Sequence, residues 1–223
     1  MPGRLIAIGD IHGYWDALAA ILDAVKPQPE DTLVPLGDFV DRGPATPKVL
    51  DEMIRLAERC RMFPILGNHD EMLLDLYHGG PGLEDWLSFG GKETLDSYGC
   101  LDPADIPEEH IEFLEGCLTY YETPTHFFVH ASYLPDLPLD LQPPEVLRWQ
   151  SLKYKVPEPH VSGKIAIVGH TVQKDGQVLD LGYLKCIDTG CYCGGPLTAM
   201  EIPSGRVWQA DAEGRKKGMM NDE

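Results

Sequence analysis

Nowhere does the sequence run for the roughly 20 consecutive apolar residues that a bilayer-spanning helix requires. Near the amino terminus Leu5–Ile8 gives way to Asp10, an apolar stretch too short for a secretory signal, so a cytoplasmic protein without membrane contact is expected. Basic residues are scarce: 18 lysines and arginines stand against 36 aspartates and glutamates, a formal charge of -18 at pH 7. A body that acidic repels nucleic-acid backbones and anionic lipid unless it carries a basic patch, and the only dense basic run is Arg215-Lys216-Lys217. A nucleic-acid partner is therefore disfavoured. Cysteine pairs of the zinc-binding kind are also missing, since of six cysteines only Cys191 and Cys193 lie close together. All six are expected as thiols in a reducing compartment. No long amphipathic seam marks an oligomer contact, which leaves a monomer as the expectation.

What is present suits one large domain. At 223 residues, 43% hydrophobic and 24% charged, the chain can bury a core without disulfides and is neither disordered nor a coiled coil. Three units of similar plan open it. Arg4–Ile8, Thr32–Leu36 and Arg61–Leu66 are short apolar runs, each ending in a glycine and polar cluster and followed by a helical pattern. Trp15, Leu18, Ala19, Leu22 and Val25 trace one helix face, and Thr46 with Pro47 reads as the N-cap and first residue of a second helix. Asp70 can cap a third. This alternation predicts parallel strands joined by helical crossovers, an α/β protein. Gly79–Gly82 then forms a joint before helices near Glu84–Tyr98 and Glu108–Leu118, and strand-like runs follow at His126–Val129, Lys164–Val168, Tyr183–Ile187, Leu197–Ile202 and Arg206–Gln209. The expected organisation is a single domain over residues 1–210, with a helical insertion near 79–123 and a polar tail over 211–223. Leu134–Pro144 holds four prolines and reads as a loop that could wall an active site.

Chemistry concentrates where the strands end. Gly9–Gly13 reads GDIHG, Gly37–Gly43 reads GDFVDRG and Gly67–Asp70 reads GNHD; later runs end in VHAS and VGHT. Ends of parallel strands converge on one crevice, so Asp10, His12, Asp38, Asn68, His130 and His170 are expected to meet there. A glycine–aspartate pair after a strand is often only a turn, and a single histidine is often structural. Five such loops with the same ligand chemistry are not explained that way. Oxygen and imidazole ligands without thiolate suit manganese, iron or zinc. Six side chains exceed what one catalytic ion needs, but fit two divalent ions about 3.5–4 Å apart, bridged by a carboxylate and a water-derived hydroxide. Asp38, in the middle unit, is the natural bridge.

These motifs, with a Trp86–Tyr98 stretch (WLSFGGKETLDSY) and Asp188-Thr189-Gly190, resemble the signature set of the calcineurin-like metallophosphoesterases, from Ile8 to about Ile202. More narrowly they resemble the bacterial serine/threonine branch of the phosphoprotein phosphatases. The resemblance implies an αββα sandwich of two mixed sheets flanked by helices. It implies two divalent ions, manganese first, with Asp10, His12 and Asp38 on one and Asp38, Asn68, His130 and His170 on the other. Two such ions bring +4, two aspartates reduce it to +2 and a hydroxide to +1, so an acidic protein can still bind phosphate locally. His69 would be the general acid, held protonated by Asp41, and Arg42 a fork for phosphoryl oxygens, beside the substrate-facing Asn68. Where the family carries a second phosphate-binding arginine after a tryptophan, the chain reads Arg148-Trp149-Gln150-Ser151, which leaves Arg148, Lys153 or Lys155 as candidate replacements, of which only Arg148 offers a fork.

The expected activity is hydrolysis of phosphoserine or phosphothreonine in a phosphorylated protein or peptide. The alternative is hydrolysis of dinucleoside polyphosphates, against which Asp41 counts mildly because some such relatives have alanine there. A phosphate-binding module without turnover would require a lost ligand or a lost His69, and none is lost.

Overall fold

The computed structural model describes residues 3–217. Two sheets face each other. The first has the order β11-β10-β9-β1-β2-β3 and the second β4-β5-β6-β8-β7. In the first, β1 (Leu5–Ile8), β2 (Thr32–Pro35) and β3 (Arg61–Met62) run parallel, and β9 (Leu197–Ile202), β10 (Val207–Ala210) and β11 (Lys216–Lys217) continue it antiparallel. In the second, β5 (His126–Phe128), β6 (Ile165–Val168) and β8 (Leu184–Cys186) are parallel, edged by β4 (Tyr121–Glu122) and β7 (Leu179–Asp180).

The two-residue period of each strand assigns its side chains to layers. Ala7, Val34, Met200 and Ile202 of the first sheet meet Phe128 and Ile167 of the second in the core between the sheets. Their neighbours Ile6, Ile8, Leu33 and Ala199 turn outward against α1 (Trp15–Val25) and α2 (Thr46–Arg59), with α3 (Asn68–Tyr77), α5 (Lys92–Tyr98) and α6 (Glu108–Glu115) completing that layer. Phe127, Val129, Ala166 and Val168 face the other flank, covered by Tyr133, Leu139 and Leu147. Leu147 belongs to α7 (Pro144–Trp149), the one α-helix of this flank. The αββα sandwich of mixed sheets is therefore as expected, with its second helical layer reduced to a few turns.

Four local expectations change. Thr46 is the first residue of α2 and Ala45 the cap, because the Ala45 N–H is already fixed to the Gly13 carbonyl at 3.1 Å. The single helix expected over 84–98 breaks into α4 (Leu83–Trp86), a π-helical turn Leu87–Gly91 and α5, since Gly90 takes φ 116°. The start of the expected tail is structured, with Lys216 and Lys217 pairing to Ala210 and Gln209 as β11; residues 218–223 lie outside the described residues. The proline-rich stretch is pinned by Gln142, which exchanges hydrogen bonds of 2.7 Å with Leu134, and by His160, 2.8 Å from the Leu137 carbonyl, over the outer face of the second sheet. Among the described residues no helix is long and apolar enough to cross a membrane.

Candidate active site and metal centre

Each parallel strand stops short of its motif, so the chain turns sharply at one end of the sandwich. Among the described residues six non-glycine positions have positive φ, and five of them are His12, Asp38, Asp41, Arg42 and His170. Such left-handed positions cost about 1–3 kcal/mol each and persist only where surrounding contacts fix them. Two glycines permit the close approach: a Cβ on Gly67 would lie 2.2 Å from Asp38 Oδ1, and one on Gly169 would lie 2.1 Å from Asp10 Oδ1. At both places a carboxylate occupies the space a side chain would need.

Asp38 lies at the centre. Its Oδ2 is 3.4 Å from His12 Nε2 and its Oδ1 is 3.5 Å from His130 Nε2. Both histidines donate their other ring hydrogen to main chain, His12 Nδ1–H to Val40 at 2.9 Å and His130 Nδ1–H to Leu36 at 2.7 Å. A carbonyl can only accept, so each Nδ1 carries the proton and each Nε2 turns a lone pair toward a carboxylate oxygen. His170 Nδ1 and His130 Nε2 both reach Asn68 Oδ1, at 2.9 and 3.0 Å. His170 N–H in turn donates to Asp10 Oδ2 at 2.9 Å, tying that carboxylate to the cluster. Ligand atoms of His12, Asp38 and His69, and separately of Asp38, His130 and His170, lie within 4.8 Å of one another.

The electrostatics agree with this geometry. Burial pushes the imidazoles of His12 and His130 down, and His170 down to about 4, keeping them neutral as ligands must be. Burial alone would raise Asp38, but the histidines around it hold it well below the usual carboxylate range. Burial with Asp188 and Asp38 nearby pushes Asp10 well above it, and burial raises Asp188 to about 6. Asp10, Asp38, Asp41, Asp70 and Asp188 are all at most 4% exposed, and Arg42 is the cation that reaches into them. Converging lone pairs and this carboxylate excess fit divalent cations, which neutralise the charge and satisfy oxygen and imidazole together.

The second loop supplies the remaining groups. Arg42 places Nη1 at 2.6 Å from His12 Nε2 and Nη2 at 2.8 Å from His69 Nε2, while its guanidinium carbon stacks 3.8 Å over the Tyr192 ring. His69 Nδ1 lies 2.7 Å from Asp41 Oδ2. Burial opposes a proton on His69, but Asp38 and Asp41 outweigh it and raise its affinity for one. Asp41 is held from the helical insertion: Trp86 Nε1–H donates to it at 3.0 Å, and the Thr94 hydroxyl donates at 2.8 Å while accepting from the Asp41 N–H. Gly90 accepts from the Arg42 N–H at 3.0 Å. The WLSFGGKETLDSY stretch is thus the clamp that sets Asp41 and Arg42.

Three features were not legible beforehand. Asp70 accepts from the N–H groups of Asp38, Phe39 and Gly67 at 2.8, 2.9 and 3.0 Å, so it ties the second loop to the third as well as closing α3. Tyr192, between the two close cysteines, packs on Arg42 and edge-on to His12. Asp188 of the DTG motif is the added carboxylate beside Asp10. One candidate is not brought in: Arg148 pairs with Glu71 and reaches Thr119 Oγ1 at 3.4 Å. Its fork is used on the acidic side chain one turn into α3. The histidines without motif make structural bonds, such as His110 to Tyr98 at 2.6 Å.

Comparison with known proteins bears on the substrate. A symmetrical bis(5'-nucleosyl)-tetraphosphatase of Cronobacter sakazakii (strain ATCC BAA-894) is 45% identical over 73 residues, 32% of this chain and 25% of that one. One from Janthinobacterium sp. (strain Marseille) is 34% identical over 132 residues, 58% of this chain and 43% of that one. The matches thus span between 25% and 43% of the length of these curated relatives. A crystal structure described as that of a candidate diadenosine tetraphosphatase superposes with a TM-score of 0.72 at 25% identity, covering 94% of both chains. These findings overturn the expectation of a phosphoprotein phosphatase with a phosphorylated protein or peptide as its partner. Asp41, counted above against a nucleotide substrate, is accounted for by its 2.7 Å contact with His69, which does not depend on the substrate. The calcineurin-like phosphoesterase family model matches residues 3–185, most of the described molecule, including the loops of Asp10, Asp38, Asn68, His130 and His170, and the chain belongs to that family.

Proposed function

We propose that the protein hydrolyses dinucleoside polyphosphates of the diadenosine tetraphosphate type. The observation that carries this reading is the likeness to proteins named for that activity, in sequence and in fold. The donor set supports a two-cation centre, with Asp10, His12 and Asp38 holding one ion and Asp38, Asn68, His130 and His170 the other. Manganese, iron and zinc all suit these oxygen and imidazole donors, manganese being the first choice. A bound pair supplies a nucleophile from water at neutral pH and positive charge for the phosphoryl oxygens.

The chain's own side chains do the rest. Arg42 offers two parallel N–H donors to a phosphoryl group, a geometry a lysine cannot reproduce. In the observed structure that fork grips His12 and His69, so an entering phosphate exchanges one set of acceptors for another. His69, oriented by Asp41, presents Nε2 as the proton donor to the departing oxygen, and its raised affinity for a proton suits that task. Asn68, at the start of α3, contributes its side-chain oxygen to the ion site and its amide toward the substrate.

The test is hydrolysis of diadenosine tetraphosphate by the purified, manganese-loaded protein, compared with a phosphothreonine peptide and p-nitrophenyl phosphate. A kcat/KM for the dinucleotide at least tenfold above that for the peptide is the expected result. Preference for the peptide, or dinucleotide cleavage that survives both chelation and Asp38→Asn, overturns the reading.

A further inference from the structure

Beside the cluster lies a cavity of about 230 Å³ lined by Met72, Leu76, Trp86, Phe89 and Trp149, with Asp75 and Asp85 at its edge. Phe89 and Trp149 are 52% and 42% exposed, so both rings are accessible to a ligand. Three connections join this cavity to the phosphoryl site. The Phe89 carbonyl accepts from Arg42 Nε at 3.4 Å, and the Trp86 indole N–H donates to Asp41. The Trp149 indole N–H donates at 2.6 Å to Glu71 of α3, the helix that starts at Asn68. The floor is the face of α3 that begins at the cluster: Met72 and Leu76 stand four and eight residues beyond Asn68, about 6 and 12 Å along the helix axis.

Building on the dinucleoside polyphosphate reading, we infer that this cavity is the binding site for a purine base of the substrate, with its phosphate on Arg42. A purine base is flat and apolar on both faces, and adenine carries one exocyclic amino group as its N–H donor beside ring nitrogens that accept. The cavity offers two aromatic rings and the polarizable thioether of Met72 for the faces, and two carboxylates, which only accept, for the donor edge. The same carboxylates repel a phosphate or an acidic peptide, so the charged end of the ligand is directed to Arg42 and the neutral end to the cavity. Its volume takes one base and excludes a folded partner.

The test separates this inference from the proposed activity by using ligands that are not hydrolysed. Binding of adenosine monophosphate and of ribose 5-phosphate to the manganese-loaded full chain is measured by calorimetry. The two carry the same phosphate and differ in the base. The base is expected to tighten binding about 5- to 30-fold, and this advantage is expected to vanish in Phe89→Ala and to shrink in Phe89→Leu, which fills space without a ring. No advantage in the parent, or an advantage retained in both variants, overturns the assignment whether or not diadenosine tetraphosphate is cleaved. Tighter binding of N-acetylphenylalanine amide than of adenosine overturns it in favour of a peptide side chain. If adenosine monophosphate binds as expected while the dinucleotide is not cleaved, the base site stands and the hydrolase reading falls.

Discussion

Arg42 Nη2 lies 2.8 Å from His69 Nε2, the ring nitrogen turned away from Asp41. The atom that would give up a proton and the fork that would hold the phosphate therefore meet at one point. For His69→Asn the effect should depend on the leaving group. Alkyl alkoxides need a proton and nucleotide or nitrophenolate leaving groups need it far less, so kcat should fall about 10²–10⁴-fold on glycerol phosphate. The loss on p-nitrophenyl phosphate and diadenosine tetraphosphate should be less than tenfold. Equal losses on all three would remove His69 from proton transfer.

Arg42→Lys keeps the charge and discards the fork. Charge-assisted hydrogen bonds are worth about 1.5–3 kcal/mol, so kcat/KM should fall about 10- to 150-fold in both Arg42→Lys and Arg42→Ala. Rescue of most of the activity by lysine would show that charge alone matters.

Asp38 faces two histidine lone pairs with its two oxygens, so Asp38→Asn should impair both ion positions together. Metal content after dialysis against manganese is expected to fall from two ions per chain to one or none, with activity lost in proportion. The parent protein should lose activity on chelation, recover it on adding manganese, and melt at a lower temperature when stripped, since ligands bound only by the folded state stabilise it. An Asp38→Asn protein that keeps two ions would dismiss Asp38 as the bridge.

Asp70 contacts no proposed substrate atom, yet it accepts from four main-chain N–H groups in two loops, those of Asp38, Phe39, Val40 and Gly67. An asparagine would turn an NH₂ toward one of those donors. Asp70→Asn should cost about 2–3 kcal/mol in denaturant unfolding and weaken manganese binding. Unchanged stability with weakened metal affinity would show that the tie orders the loops without holding the fold.

Away from the site, Asp31 joins the start of β2 to the start of β1. It accepts from Arg4 N–H at 2.8 Å, Arg4 Nη2 at 2.6 Å and Gln28 N–H at 2.9 Å. Burial works against its charge, but the Arg4 side chain and the two main-chain donors outweigh it and depress its pKa. A carboxyl depressed on folding stabilises the protein above its unfolded pKa, near 3.9, and that contribution is lost as pH falls through the lower folded value. Asp31→Asn should therefore destabilise by about 1–3 kcal/mol at pH 7. The gap to the parent should narrow as unfolding is measured toward pH 3. A gap that widens on acidification would contradict the ion pair.

Much of the site could be read from the chain because its ligands sit immediately after apolar runs, where Gly-Asp, Gly-Asn-His-Asp and Gly-His stand out against the pattern. Asp70 could be read only as a cap, since its other partners, Asp38 and Phe39, lie about thirty residues earlier. Tyr192 carried no signal at all: a tyrosine between two cysteines becomes meaningful only when Arg42 is found stacked on it. Arg148 misled for the opposite reason: it lies next to Trp149, close to where the family's arginine would stand, and its partner, Glu71, is invisible from spacing.

The sequence by itself determined the alternation of strands and helices, the ligand chemistry and the excess of acidic over basic side chains, because these follow from local periodicity and from the kinds of side chain present. The tertiary structure decided which side chains share a centre, how the helical insertion clamps Asp41 and Arg42, and where an aromatic cavity opens beside them. Those outcomes depend on the stacking of two sheets and on loops forced into left-handed turns, which bring together residues as far apart as Asp10 and His170, and no pattern along the chain encodes that distance.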